Sequence, residues 1–200
     1  MIVGIVFSYI LGSIPTAYIL GRLKGIDIRK HGSGNVGATN AFRVLGKTAG
    51  ISALLIDLLK GLIATMLFAN YFNPAGASLF LRILYGFSCV CGHTWSVFLR
   101  FKGGKGVASS LGVLAGLAIV EKGLAIVLAL VILVWVASFL ISRIVSLSSI
   151  LSALSFPLFV FCFNQVKEIK ILSILLCLFI ILKHKSNLQR LLKRKEPPLL

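Results

Sequence analysis

The sequence predicts an all-α integral membrane protein with seven transmembrane helices, and three observations carry that reading. Apolar residues make up 58% of the chain and fall in long continuous runs, with a mean hydropathy of +1.01. Charged residues are only 13%, against roughly 25% in a soluble domain. The runs also lack strand alternation. That excludes a closed barrel, the other fold that satisfies its own backbone inside a bilayer.

Taken in order, the first run is Ile2–Leu20, close to the roughly 20 residues a crossing needs, with Pro15 expected to kink it. Its first four residues carry no Lys or Arg, and no small-residue cleavage pattern follows, so the segment is expected to be kept. A loop from Gly21 to Thr48 comes next, too long for a simple connector. The second run, Ala49–Ala69, holds Asp57 with Lys60 one turn later. Charges in lipid are costly and are met by partners, so a structural Asp57–Lys60 pair is expected at the border of the site, with a direct part in catalysis as the alternative. The third run is Leu79–Leu99. The fourth, Val107–Val120, is short, and its start is expected to reach into the Gly-rich segment before it. Leu124–Ile141 is the fifth; a five-span alternative demotes the fourth and fifth. Leu147–Phe163 is the sixth, with a second kink expected at Pro157, and Ile169–Leu182 is the seventh. No internal repeat is visible, and residues 1–200 read as a single polytopic domain.

Charge sets the orientation. With the N-terminus outside and the C-terminus cytoplasmic, 16 of the 21 Lys and Arg residues fall inside. Only Arg82, Lys122, Lys167 and Lys170 remain outside, and Lys60 lies within the second span. The net charge of +16 is then a property of the cytoplasmic face. Part of it, chiefly the C-terminal tail, serves topology and contact with anionic lipid. Cys89, Cys91, Cys162 and Cys177 lie within apolar runs and show no Cys/His zinc spacing, so they read as packing residues.

Three polar constellations gather on that face. The first is Gly32-Ser33-Gly34-Asn35-Val36-Gly37-Ala38-Thr39-Asn40, followed by Arg43. Glycines let backbone N–H groups converge on an anion, hydroxyl and amide side chains add donors, and arginine presents a fork that fits phosphate. Gly32-x-Gly34-x-x-Gly37 formally matches a dinucleotide fingerprint, but no strand–helix–strand unit surrounds it. A flexible loop joining two helices is the plainer alternative. The second constellation runs from Gly92-His93 to Lys102-Gly103-Gly104-Lys105-Gly106. It lacks Walker A spacing, yet it places lysine among glycines at a helix start, a seat for phosphate. Its alternatives are a tight basic turn and, for His93, simple packing. The third, Lys183 to Leu191, puts His184, Asn187 and Arg190 at successive steps of three, on one helix face. A basic membrane-exit sequence is the plainer reading. Carboxylates are few: Asp27, Asp57, Glu121, Glu168 and Glu196 are all of them, which leaves no paired-carboxylate metal site.

These three constellations resemble the three motifs of the bacterial acyl-phosphate:glycerol-3-phosphate acyltransferase (PlsY) family, over nearly the whole chain. The first matches from Gly32 to Asn40 with Arg43 and Leu45-Gly46-Lys47. The second matches at Gly92-His93 and from Phe101 through Ala108, and the third at His184, Asn187, Arg190, Leu191 and Glu196. The sequence departs from the family pattern at Ser96 (proline), Lys183 (arginine) and Arg194 (glycine). The resemblance implies acyl transfer from acyl phosphate to glycerol 3-phosphate, giving 1-acyl-glycerol 3-phosphate and phosphate, the first acylation of phospholipid synthesis. It also implies a bacterial cytoplasmic (inner) membrane enzyme whose site faces the cytoplasm.

On that footing the Ser33–Asn40 loop (Ser33, Gly34, Asn35, Gly37, Thr39, Asn40) and Lys105 are expected to hold the phosphoryl group and stabilise the leaving phosphate. His93, Gly103 and Gly104 are expected to support substrate binding there. Arg43, with Lys102 or Arg190, is expected to grip glycerol 3-phosphate. Asn187 and His184 are expected to orient the attacking hydroxyl. The proton goes either to His184 as general base or to an oxygen of the acyl phosphate itself. The expected partners are the two substrates and membrane lipid, with no cofactor, metal, nucleic acid or obligate protein partner. A His-x4-Asp acyltransferase using a soluble donor is not supported, because Val36, Phe98 and Gln189 stand five residues beyond the three histidines. A transporter or channel for a phosphorylated anion would need polar residues reaching through to the outer side, and a lipid-binding or scaffold protein would not need three such constellations.

Overall fold

The computed structural model describes residues 1–199, and among them there is no strand. Contacts divide the chain into two compact units, Met1–Leu117 and the remainder from Ala118. The first unit holds α1 (Ile2–Ser13), α2 (Thr16–Leu23), a 3₁₀ turn (Ile28–Lys30), α3 (Ala38–Leu45) and α4 (Lys47–Ile63). A π-helical turn (Ala64–Phe68) carries α4 into α5 (Ala69–Phe72). Then come α6 (Leu79–Thr94), a second 3₁₀ turn (Val97–Leu99) and α7 (Val107–Val120), within which the division falls. The second unit holds α8 (Leu124–Ser142), α9 (Val145–Cys162), α10 (Lys167–Lys183) and α11 (Lys185–Leu192).

Each of the seven apolar runs is helical, but not every run is one helix of crossing length. Lys47–Phe72, Leu124–Ser142 and Val145–Cys162 are long and apolar enough to cross a membrane. The first run is a broken pair: α1 and α2 meet at 41°. Pro15 has no N–H to give and disfavours helical geometry at the residue before it, and Ile14 accordingly sits at φ −57°, ψ 113°. The third run ends at Thr94 rather than Leu99. Trp95 leaves helical geometry at φ −119°, ψ 63°, and the second 3₁₀ turn then closes at Arg100 and Phe101, both left-handed at φ 52° and 59°. Pro157 lies inside α9 without ending it.

In the first unit, helices approach through glycine. A Cβ on Gly12 of α1 would overlap the Cys89 carbonyl of α6, and one on Gly92 would overlap the Tyr9 carbonyl. Such contact suits a bilayer, where close van der Waals packing replaces the hydrophobic drive. Gly12→Leu is therefore expected to cost about 1–3 kcal/mol by overpacking. A lowered melting temperature in detergent checks this. Ser96 donates its hydroxyl to the Ser13 carbonyl, tying the second 3₁₀ turn to the end of α1.

A small core lies beneath the glycine loop. Ala17, Ile28, Val36, Ala41, Leu45, Ala49, Ala53 and Leu99 form one buried cluster drawn from α2, α3, α4 and the loops. Ile28 and Val36 are the loop's own anchors, so this segment is packed rather than a slack linker.

In the second unit, α9 lies against both α8 and α10. Ser152 donates to the Val131 carbonyl and the Trp135 indole donates to Ser149, both between α8 and α9. The chain beyond α11 folds back on this unit: the Leu199 amide donates to the Arg143 carbonyl, 2.9 Å away.

Candidate active site

The glycine loop is built by Asn40. This residue lies in the first turn of α3 and is buried, 2% exposed. Its Nδ2 donates to the carbonyls of Ile28 (3.2 Å) and His31 (3.1 Å), and its Oδ1 accepts from the Ser33 amide (2.9 Å). One side chain thus laces both ends of the turn. Gly32 and Gly34 adopt φ +59° and +70°, and a Cβ on Gly32 would strike Asn40 Oδ1, so both the backbone and the space demand glycine. Asn35 N–H reaches the Ser33 hydroxyl at 3.4 Å. Gly37 then caps α3 with extended backbone, placing Thr39 in the first turn and Arg43 one turn later. The loop thus ends at a helix N-terminus, where unpaired N–H groups and the dipole favour an anion. Ahead of it, Asp27 takes a two-pronged ion pair from Arg29 at 2.9 and 2.7 Å and accepts from the Arg29 amide. Arg29 holds the Asp27 carboxyl well below the usual carboxylate range.

Asn40, expected among the substrate-binding residues, turns its amide onto the loop's own groups. Gly103 and Gly104 likewise use their amides within the protein. Their amides donate to the carbonyls of Thr94 and His93, each at 3.0 Å, so these two N–H groups do not form an anion nest. What they provide is closeness. A Cβ on Gly103 would overlap the His93 carbonyl, and one on Gly104 would overlap His93 Nε2. The segment Lys102–Lys105 is clamped flat on His93–Thr94, and α7 starts immediately after Gly106, at φ +81°.

Beneath this clamp lies a buried polar cluster. Asp57 Oδ1 accepts from Lys60 Nζ (2.8 Å) and from the Thr16 hydroxyl (2.9 Å) and lies 3.6 Å from His93 Nδ1. Lys60 also donates to Thr16 Oγ1 and to the Ile14 carbonyl. Asp57 and Lys60 are 2% and 3% exposed, as the cost of isolated charge requires. The Asp57–Lys60 pair was legible from spacing and scarcity; its attachment to Thr16 and His93 was not.

The second unit carries the third constellation. His184 stands at the junction of α10 and α11, with Nδ1 2.8 Å from the Ile180 carbonyl. A carbonyl only accepts, so Nδ1 carries the proton and Nε2 is the basic nitrogen. Asn187 and Arg190 share a face of α11 because both reach Glu196. Asn187 donates to Oε1, Arg190 Nε donates to Oε2 at 2.6 Å, and Ser146 of α9 donates to Oε1 at 2.7 Å. Sequence reading counted Glu196 as a motif match but missed that it gathers the other two. The signal was its rarity, one of five acids in a chain of 21 bases.

Burial works to raise the Glu196 carboxyl, and hydrogen bonds from Arg190, Ser146 and Asn187 outweigh it, leaving it below the ordinary glutamate range. A depressed folded value gives stability that is present above the unfolded pKa, about 4.3, and is lost as pH falls through the folded one. Acidification below about pH 4 is thus expected to release the tail. Hydrogen exchange of residues 194–199 should accelerate over that window in the wild type and be fast at all pH in Glu196→Ala.

The sequence profile of the family described as glycerol-3-phosphate acyltransferase matches residues 2–194. A relative from Desulforudis audaxviator, named glycerol-3-phosphate acyltransferase, is 45% identical over 191 residues, covering 94% of this chain and 90% of its own. One of the same name from Desulforamulus reducens is 41% identical over 193 residues, covering 96% and 92%. Among solved structures, the chain is similar to PlsY (YgiH), an integral membrane glycerol 3-phosphate acyltransferase. To its glycerol 3-phosphate form the TM-score is 0.88 at 37% identity, with 98% of this chain and 94% of that one covered. To its lysophosphatidic acid form the TM-score is 0.85 at 36% identity, with the same coverage.

Proposed function

The chain belongs to the glycerol-3-phosphate acyltransferase family, and on that premise we propose that it transfers the acyl group of an acyl phosphate to sn-glycerol 3-phosphate. It is a membrane acyltransferase of glycerol 3-phosphate. The hydroxyl oxygen attacks the acyl carbon, the bond from that carbon to the phosphate oxygen breaks, and the products are 1-acyl-glycerol 3-phosphate (lysophosphatidate) and inorganic phosphate. The observation that carries this is the loop laced by Asn40, which leads into the N-terminus of α3 with Arg43 one turn on.

Ser33, the loop glycines and Thr39, with Lys105, hold the phosphoryl group; Arg43 and Lys102 grip glycerol 3-phosphate. Asn187 and His184 orient the hydroxyl, and Nε2 of His184 takes its proton. The Nδ1 bond to Ile180 supports this assignment by fixing the tautomer. Arg190 serves chiefly by holding the carboxylate that positions Asn187. Acyl phosphate is already activated, so positioning and charge stabilisation supply most of what the reaction needs. The reading extends to seven spans with the N-terminus outside, one catalytic domain over the chain, and a bacterial inner membrane with the motifs facing the cytoplasm. It is supported by the distribution of basic residues and by the bacterial relatives.

The test supplies purified protein in detergent with long-chain acyl phosphate and glycerol 3-phosphate, following phosphate and monoacyl product together. Stoichiometric release that requires glycerol 3-phosphate is the expected result. Turnover only with acyl-CoA or acyl carrier protein would overturn the donor.

A further inference from the structure

Asp57 lies outside all three motifs, yet it joins the break in the first membrane segment to the clamp that carries Lys105. At the break, the Lys60 ammonium meets the Ile14 carbonyl just past the C-terminus of α1. The Asp57 carboxylate meets the hydroxyl of Thr16, the first residue of α2. Each charge therefore sits on the half-helix end of opposite polarity. The same carboxylate oxygen faces Nδ1 of His93 at 3.6 Å, and Nε2 on the far side of that ring is packed against Gly104 with no room for a methyl group. The His93 carbonyl accepts from the Gly104 amide. Nothing in this chain of contacts is loose: Asp57, Lys60, Thr16 and His93 are all at least nine-tenths buried.

We infer that Asp57 is a positioning residue for acyl transfer: by fixing the His93 ring from below, it sets where Gly104, and with it Lys105, stands against the bound phosphate. The inference rests on the proposed reading of that loop as a phosphate holder. Asp57 is not a catalytic residue, since its Oδ1 is occupied by Thr16 and Lys60 and it is sealed from substrate. A carboxylate orients an imidazole through charge as well as shape, so an amide of the same size loses most of the effect.

The experiment is a double-mutant cycle of Asp57→Asn and His93→Gln on monodisperse detergent-purified protein, with KM and kcat read for both substrates. Asp57→Asn is expected to raise KM for a phosphate substrate about tenfold while kcat changes about twofold or less. A purely structural loss would lower the active fraction, and so apparent kcat, at unchanged KM. The double variant is expected to be no worse than the poorer single one; independent residues would multiply to about a hundredfold. Unchanged KM in folded Asp57→Asn, or multiplicative effects, overturns the inference. Should Asp57→Asn fail to fold because Lys60 is left buried and unpaired, Asp57→Asn/Lys60→Met removes both charges, and the same KM rise is expected. If wild-type protein turns over only with another acyl donor, the functional reading falls, and the cycle is read with that donor to the same criteria.

Discussion

Asn40→Ala is expected to abolish most activity while leaving the helices in place. The substitution deletes three hydrogen bonds at once: the Ser33 amide loses its acceptor, and the Ile28 and His31 carbonyls keep only the bonds from the His31 and Gly34 amides. Each lost bond costs about 0.5–1.5 kcal/mol, and the three together hold both ends of the turn through Gly32 and Gly34. Relaxation of the loop by about 1 Å is enough for a hundredfold loss of rate, so kcat/KM should fall by two orders of magnitude or more. Asn40→Asp separates shape from charge: it keeps the acceptor for Ser33 but replaces the donor to two carbonyls with a repelling oxygen, and should be as damaging. Steady-state kinetics beside a melting curve decide the matter. A melting temperature that drops while kcat/KM of the surviving fold holds would show that Asn40 serves stability alone.

The second large effect is at His184. His184→Gln preserves a polar side chain and removes the base, and kcat is expected to fall about a hundredfold, within the range of general-base contributions, with KM little changed. The geometry behind this is the Nδ1–H bond to Ile180, which leaves Nε2 as the basic nitrogen. Turnover kept within a few-fold would instead assign the proton to a phosphate oxygen of the donor and leave His184 a role in orientation.

How much of this was legible in the sequence depends on how far apart the cooperating residues are. The Asp57–Lys60 pair is three residues apart on one helix, and charge in an apolar run has to be met locally, so spacing alone gave it away. That the glycine run is a special segment was legible from its density; that the Ser33 and Gly34 amides close onto Asn40 and His31 was not. Nor was the inward turn of Asn40. An amide beside a glycine loop looks the same in a sequence whether it binds a ligand or the loop's own carbonyls. Ser146 and Glu196 are 50 residues apart, and no local pattern joins them. Gly103 and Gly104 misled for a related reason: a glycine is equally a donor nest and a place for a histidine ring to press. The break at Pro15 was half legible, since proline announces a kink but not the partners that make a clean interruption tolerable.

That interruption bears on how the chain is made. Ile14 and Thr16 emerge from the ribosome before Asp57 and Lys60 have been synthesised, because their partners lie 46 and 41 residues downstream. Neither α1, at 12 residues, nor α2, at 8, can cross a bilayer alone. The break at Pro15 therefore gains its buried partners only after the second apolar segment has been made, so the polar groups at the break and the charges that meet them are supplied by different stages of synthesis.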